Sequence, residues 1–330
     1  MFTLNRDPLK SRPAAAVLLM GAILLAACGP ISESAIPDFS DRQINAVATT
    51  GMVGDIVQVI GGDRVEVTTL MGPGIDPHAY KASEGDVEKI GSADIVFYNG
   101  LHLEAKVADV FEKMGDDIVT VPVAERIPVD RRIVVGTGIG AYDPHVWFDV
   151  ELWSMAVEEV RDTFVRVDPT HADGYNTRAN AFQAEMSELD AYVEEQALRV
   201  PPDQRVLITA HDAFGYFAQA YAFEVLGLQG ISTATEAGAG DIQDLADIIV
   251  ERQIPAIFVE TSVSPRTIQA LQEAVKARGF DVTVGGALFS DAMGDPGTIE
   301  GTYLGMVRHN IDTIVGAMLR ESASEGERES

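Results

Sequence analysis

Cysteine is almost missing from this chain of 330 residues, with Cys28 the single example. That excludes an internal disulfide, and it excludes any zinc finger or iron–sulfur cluster built on thiolates. A metal site here must be made from His, Asp and Glu. Basic residues are also scarce: 24 Lys and Arg stand against 51 Asp and Glu, for a net charge of −27 and a pI near 4.4. Such a field repels nucleic-acid phosphates and anionic membrane surfaces while it concentrates cations, so no nucleic-acid partner is expected. Aromatic residues, at 7 %, do not suggest a carbohydrate-stacking surface. What the chain has in quantity is apolar side chains, 46 %, over a length sufficient for two domains.

The N-terminus accounts for the one cysteine. Arg6, Lys10 and Arg12 precede an uncharged apolar run, residues 14–27, whose 14 residues fall about 4 to 6 short of a bilayer span and suit the core of a signal peptide. The run ends Leu25-Ala26-Ala27-Cys28-Gly29, which resembles the bacterial lipoprotein cleavage signal, with Cys28 as the lipidated first residue of the mature chain. An ordinary small-residue cleavage site beside an incidental cysteine is the alternative. Cleavage before Cys28 removes three basic residues and one acidic residue and leaves a charge of −29. The following stretch carries Pro, Ser and acids without periodicity and reads as a flexible tether over 28–42.

From residue 43 onward, short β-branched runs alternate with longer helical patterns. Strands are expected over 44–49, 64–70 and 95–98, with helices over 52–60 and 84–90 between them. The second half repeats the rhythm, with strands over 205–210, 257–260 and 281–285 and helices over 214–222, 241–252, 265–278 and 299–319. Alternation of this kind specifies α/β architecture with mainly parallel sheets flanked by helices. Between the halves, Asp168-Pro169 reads as a helix N-cap and first-turn proline. Tyr175, Ala179, Phe182, Met186, Leu189 and Tyr192 follow at spacings of 3 and 4. One long helix over 168–200 is therefore expected to bridge an N-terminal lobe, 43–167, and a C-terminal lobe, 201–320. The Ser- and Glu-rich tail, 321–330, is expected to be disordered.

Six histidines exist in the chain. Two of them close the same tripeptide, Asp76-Pro77-His78 and Asp143-Pro144-His145, in which the proline stiffens the backbone and the histidine projects from a loop. His211 and Asp291 each fall near the C-terminal end of an expected strand, the edge at which open α/β sheets bind ligands. The intervals between these four positions are 67, 66 and 80 residues, so each lobe supplies two candidates, as a cleft between lobes requires. Three imidazoles and one carboxylate suit Zn²⁺, Mn²⁺ or Fe²⁺. Because neutral imidazole is the ligand form, binding is expected to weaken as pH falls through about 6.

The chain from about residue 43 to 319 resembles the metal-specific solute-binding proteins of bacterial ABC importers, the zinc/manganese-type lipoproteins of cluster A-I. The stretches that carry the likeness are Gly74-Ile75-Asp76-Pro77-His78-Ala79-Tyr80, Asn99-Gly100-Leu101 with Leu103-Glu104, Asp143-Pro144-His145-Val146-Trp147, Thr209-Ala210-His211-Asp212-Ala213-Phe214, Phe258-Val259-Glu260 and Leu288-Phe289-Ser290-Asp291. The resemblance implies two lobes bridged by one long helix, with a single metal ion held between them by His78, His145, His211 and Asp291. It also implies an exported, lipid-anchored protein, monomeric and not an enzyme, that faces the periplasm or cell exterior and serves an ABC permease. Manganese-type members often carry Glu where His211 stands, and some zinc-type members lack the last Asp and insert a His-rich loop. This chain does neither, so zinc and manganese stay open as cargo.

Two other functions use the same features. A zinc hydrolase would need an open coordination position for water, which a fourth ligand at Asp291 closes, and no His-Glu-x-x-His helix is present. An extracellular adhesion lipoprotein is the other alternative, without a repeat or disulfide array to support it. Glu260 could orient a ligand imidazole or could be an exposed strand-end carboxylate. His102, His171 and His309 read as solvated helix residues. Gly136-Thr137-Gly138-Ile139-Gly140 lacks the pattern of a phosphate-binding loop and reads as a mobile approach to His145.

Overall fold

The computed structural model describes residues 37–114, 118–138 and 141–319; Cys28, the apolar run before it, most of the expected tether, Ile139-Gly140 and the tail from residue 320 lie outside them. In the first half, β1 (Ile44–Ala48), β2 (Val65–Thr69), β3 (Ile95–Tyr98) and β4 (Val119–Pro122) form one parallel sheet in the order β2-β1-β3-β4. The two-residue period of a strand divides its side chains between two layers. Ile44, Ala46 and Ala48 of β1 with Ile95 and Phe97 of β3 enter the main core, while Val47 and Val96 meet Ile90, Val107 and Phe111 on the other face. The first layer is closed by α1 (Gly51–Gly61) and α4 (Val150–Val167), the second by α2 (Glu84–Gly91) and α3 (Ala105–Met114).

The helix starts follow local chemistry. Thr50 accepts from the Val53 N–H, Asp149 accepts from Leu152, and Ser83 with Asp86 forms a reciprocal capping box. In the second half, β5 (Val206–His211) pairs in parallel with β6 (Glu224–Gln229), and β7 (Ala256–Glu260) with β8 (Thr283–Leu288). The helices here are α6 (Gly215–Tyr221), α7 (Ala239–Arg252), α8 (Arg266–Lys276) and α9 (Tyr303–Leu319). Ile208 and Ala210 of β5 and Ile257 of β7 pack with residues of α7 and α8, whereas Leu207 and Phe258 face the main core.

Strand β8 extends beyond its expected end at residue 285. Glycine weakens a strand interior, but here the missing side chains admit neighbours: a Cβ at 285 would lie 2.6 Å from Ala317 and 2.7 Å from the Phe258 ring. At 286 it would lie 2.6 Å from the Thr313 side chain.

The long helix, α5 (Ala172–Arg199), has 28 residues, about 42 Å at 1.5 Å per residue. It begins later than the expected residue 168 because Pro169–His171 forms a 3-10 turn. Asp168 does not cap α5 through its side chain. Its buried carboxylate sits instead 2.7 Å from His171 Nδ1 and accepts from the Tyr175 hydroxyl at 2.6 Å and the Arg64 guanidinium at 3.0 Å. The stripe Tyr175, Ala179, Phe182, Met186, Leu189, Val193 and Ala197 joins the core that contains strands of both halves. The start of the fold also differs from expectation. Phe39 N–H donates to the Val167 carbonyl, and Arg64 donates to the carbonyls of Ser40 and Arg42, so residues 39–42 of the expected tether are docked.

Candidate metal centre

The two Asp-Pro-His tripeptides fold alike. Asp76 Oδ1 accepts the His78 backbone N–H at 2.9 Å, and Asp143 Oδ1 accepts that of His145 at 2.9 Å, so each aspartate closes a tight turn that presents its histidine. Asp143 does more, because its Oδ1 also lies 2.7 Å from His145 Nδ1. His211, the last residue of β5, is held in the same manner from another strand. Glu260, at the end of β7, accepts the His211 backbone N–H through Oε1 at 2.9 Å and meets Nδ1 through Oε2 at 2.5 Å. In both cases a carboxylate on Nδ1 leaves Nε2 free to face inward.

Asp291 follows β8 on a segment clamped from three sides. Asn310 of α9 accepts the Phe289 N–H at 2.9 Å and donates to its carbonyl at 2.7 Å. Trp147 Nε1 donates to the Ser290 carbonyl at 3.0 Å, and the Ser262 and Ser290 hydroxyls lie 2.9 Å apart. The clamp directs the Asp291 carboxylate toward the three imidazoles.

Nε2 of His78 lies 3.2 Å from Nε2 of His145 and 3.7 Å from Asp291 Oδ2; Nε2 of His145 lies 3.4 Å from Oδ1, and Nε2 of His211 3.2 Å from Oδ2. Ligand atoms about 2.0–2.1 Å from a tetrahedral ion stand roughly 3.3–3.4 Å apart, so the spacing fits one ion with donors of this type. All four residues are buried, His78 retaining 7 % exposure against 0 % for His145 and His211 and 2 % for Asp291. Neither Asp291 oxygen has a hydrogen-bond partner, and nor does His211 Nε2, among the described residues. A native fold rarely leaves three such atoms buried without a hydrogen bond unless something else satisfies them.

Electrostatics separate the three imidazoles. Burial presses the His78 ring toward neutrality and, against the pull of Asp291, brings its pKa down to about 4. Burial opposes protonation of His145 as well, but Asp143 and Asp291 overcome it and raise the pKa to about 9. At His211, Asp291 and Glu260 likewise outweigh burial and lift it well above the ordinary value. Burial would raise the Asp291 carboxyl, yet His211 and His145 hold it well below the usual carboxylate range.

The description "zinc-uptake complex component A periplasmic", the ZnuA family, matches residues 46–317. The chain belongs to the ZnuA family. The zinc-binding protein TroA of Treponema pallidum is 51 % identical over 281 residues, 85 % of this chain and 91 % of TroA. The manganese-binding lipoprotein MntA of Bacillus subtilis is 46 % identical over 303 residues, 92 % of this chain and 98 % of MntA. The solved structure of the periplasmic zinc-binding TroA from Treponema pallidum matches with a TM-score of 0.81, over 84 % of this chain and 99 % of that one.

In this ZnuA-family chain the remaining histidines stand apart from the cluster. His102 is exposed in a turn at φ 73° rather than on a helix, His171 pairs with Asp168, and His309 Nε2 lies 3.1 Å from the Ala287 carbonyl. Sequence reasoning missed Asn310, whose role depends on α9 lying beside the Phe289 segment and leaves no local signal. It also left Asp143 unranked beside Asp76. The difference is that Asp143 reaches the ring of its histidine, while Asp76 reaches across to Thr233.

Proposed function

We propose that this chain captures one divalent transition metal ion, Zn²⁺ or Mn²⁺, outside the cytoplasmic membrane and delivers it to an ABC-type permease, without catalysis. His78, His145, His211 and Asp291 supply the ligands, two from an N-terminal lobe over 43–167 and two from a C-terminal lobe over 201–320. The observation that carries this reading is the buried Asp291 carboxylate, with neither oxygen accepting a hydrogen bond among the described residues and the three imidazoles 3.2–3.7 Å from it. The names of TroA and MntA support both metals. A fourth protein ligand leaves no open position for a hydrolytic water, which disfavours a zinc hydrolase.

The protein acts as a monomer held to the membrane by lipid on Cys28. The Leu-Ala-Ala-Cys signal supports this, as does the lipoprotein name of MntA. Among the described residues no helix is long and apolar enough to cross a membrane. One acyl chain anchors only marginally, so retention needs two or more. Cys28→Ser is expected to shift the protein from the membrane to the soluble fraction.

Titration with Zn²⁺ and Mn²⁺ tests the site. One ion per chain is expected, and His78→Ala, His145→Ala and His211→Ala should each lower affinity by more than roughly 100-fold, beyond what loss of a group that merely orients a ligand costs. His102→Ala and His309→Ala should bind as the parent does. Equal binding by all five variants would overturn the assignment.

A further inference from the structure

The four ligands are not held equally. The Nδ1 atoms of His145 and His211 are paired with Asp143 and Glu260, and the Asp291 segment is clamped by Asn310 and Trp147. The His78 ring has no comparable partner at Nδ1 among the described residues. His78 lies between β2 and α2, and it is the most exposed of the four ligands. Its support runs through Asp76, whose two oxygens serve different halves of the molecule. Oδ1 accepts the backbone N–H of His78, and Oδ2 accepts the hydroxyl of Thr233 at 2.5 Å. Thr233 sits between β6 and α7, in the C-terminal half, and is half-buried.

Among the other side-chain bonds between the halves, two lie deeper. Trp147 Nε1 donates to the Ser290 carbonyl, and the Tyr303 hydroxyl donates to the Trp147 carbonyl, both fully buried. Asp76–Thr233 is only part-buried and lies next to the ligand that retains contact with solvent.

We propose that the Asp76–Thr233 hydrogen bond is a latch that sets how fast the metal leaves. It rests on the metal-capture function proposed above. While the bond is made, one carboxylate ties the His78 turn to the opposite half and keeps the His78 ring in the ligand set. When it breaks, the turn is free to swing outward and carry His78 with it, removing one of the four ligands without disturbing the three that are anchored from within. Thr233 is then a positioning residue, acting on the metal through Asp76 and the His78 backbone. A short hydroxyl–carboxylate bond is strong enough for this role and weak enough to open thermally.

The test is stopped-flow release of Zn²⁺ from the loaded full chain to an excess of chelator. Thr233→Val keeps the shape and removes the donor, and it should release Zn²⁺ roughly tenfold faster, the worth of one such bond. Thr233→Ser keeps the hydroxyl and should release at the parent rate. All three proteins should keep the same far-ultraviolet circular dichroism without metal, which shows that the fold is intact. Release from Thr233→Val at the parent rate would overturn the latch, and so would Thr233→Ser releasing as fast as Thr233→Val. Failure of the parent protein to bind Zn²⁺ at all would overturn the metal-capture function itself, so the two failures are distinguishable.

Discussion

Glu260 Oε2 lies 2.5 Å from His211 Nδ1 while Oε1 of the same carboxylate accepts the His211 backbone N–H at 2.9 Å. A side chain at the end of β7 thus fixes both the tautomer and the ring orientation of the last residue of β5. Glu260→Gln keeps the shape and removes the charge that favours a proton on Nδ1. Metal affinity should fall by about 10- to 100-fold, read by competition with a chelator of known strength. Binding equal to the parent would show that Glu260 only tethers the strand end.

Metal binding should expel protons. His145, raised to about 9, and His211, raised well above its ordinary value, hold their protons at neutral pH in the metal-free protein, while His78, lowered to about 4, does not. A raised pKa means that the proton is bound below that pH and must leave before Nε2 can donate. Affinity should therefore climb with pH through the neutral range toward about 9, rather than level off above the pH of about 6 suggested by an ordinary imidazole. The exchange is charge-neutral, with two protons out and one divalent ion in. Calorimetry of Zn²⁺ binding at pH 7 in buffers of different ionisation enthalpy should return about two protons per metal. Heats independent of buffer would contradict the protonated site.

Asp291 should discriminate between the metals. Three nitrogens and a carboxylate follow the Irving–Williams order, so Zn²⁺ is expected to displace Mn²⁺ in competition. A carboxylate can bind through both oxygens and exceed the four-coordination that zinc prefers, which favours the harder ion. Asp291→Asn should weaken Mn²⁺ more than Zn²⁺. Equal losses would remove Asp291 from that role.

Gly227 supports His211 by having no side chain. A Cβ there would lie 2.5 Å from the Asp212 amide nitrogen and 2.7 Å from the His211 carbonyl carbon. Gly227→Ala should destabilise the fold by about 1–3 kcal/mol, as overpacking does, and should weaken metal binding by moving the His211 backbone. An unchanged melting temperature would show that β6 yields at no cost.

The histidine positions were legible because their chemistry is local. Asp-Pro-His is a turn whatever surrounds it, since proline stiffens the backbone and the aspartate reaches the histidine N–H two residues away. The strands beneath were legible where β-branched runs stand alone, as in β1 and β3. Strands β4 and β6 were not. The first is four residues ending in Pro122, and the second carries Gly227 in its interior, a residue that opposes strand formation until a neighbouring backbone needs the space. Helices α3 and α4 also went unread, although α4 opens on a regular Asp149 cap.

Sequence alone determined the α/β rhythm, the near absence of thiol ligands and the four residues available to a metal, because these depend on residue type and short-range spacing. It also determined that α5 would be long, since its apolar stripe runs without a breaker from Tyr175 to Ala197. Only the tertiary structure decided that Glu260 and not another carboxylate would hold His211, that Asn310 would clamp the segment before Asp291, and that Asp76 would span to Thr233. These pairs are 49, 21 and 157 residues apart. Which carboxylate meets which imidazole is set by the order and register of strands and by the helix packed over them. Those follow from burying the shared core as a whole.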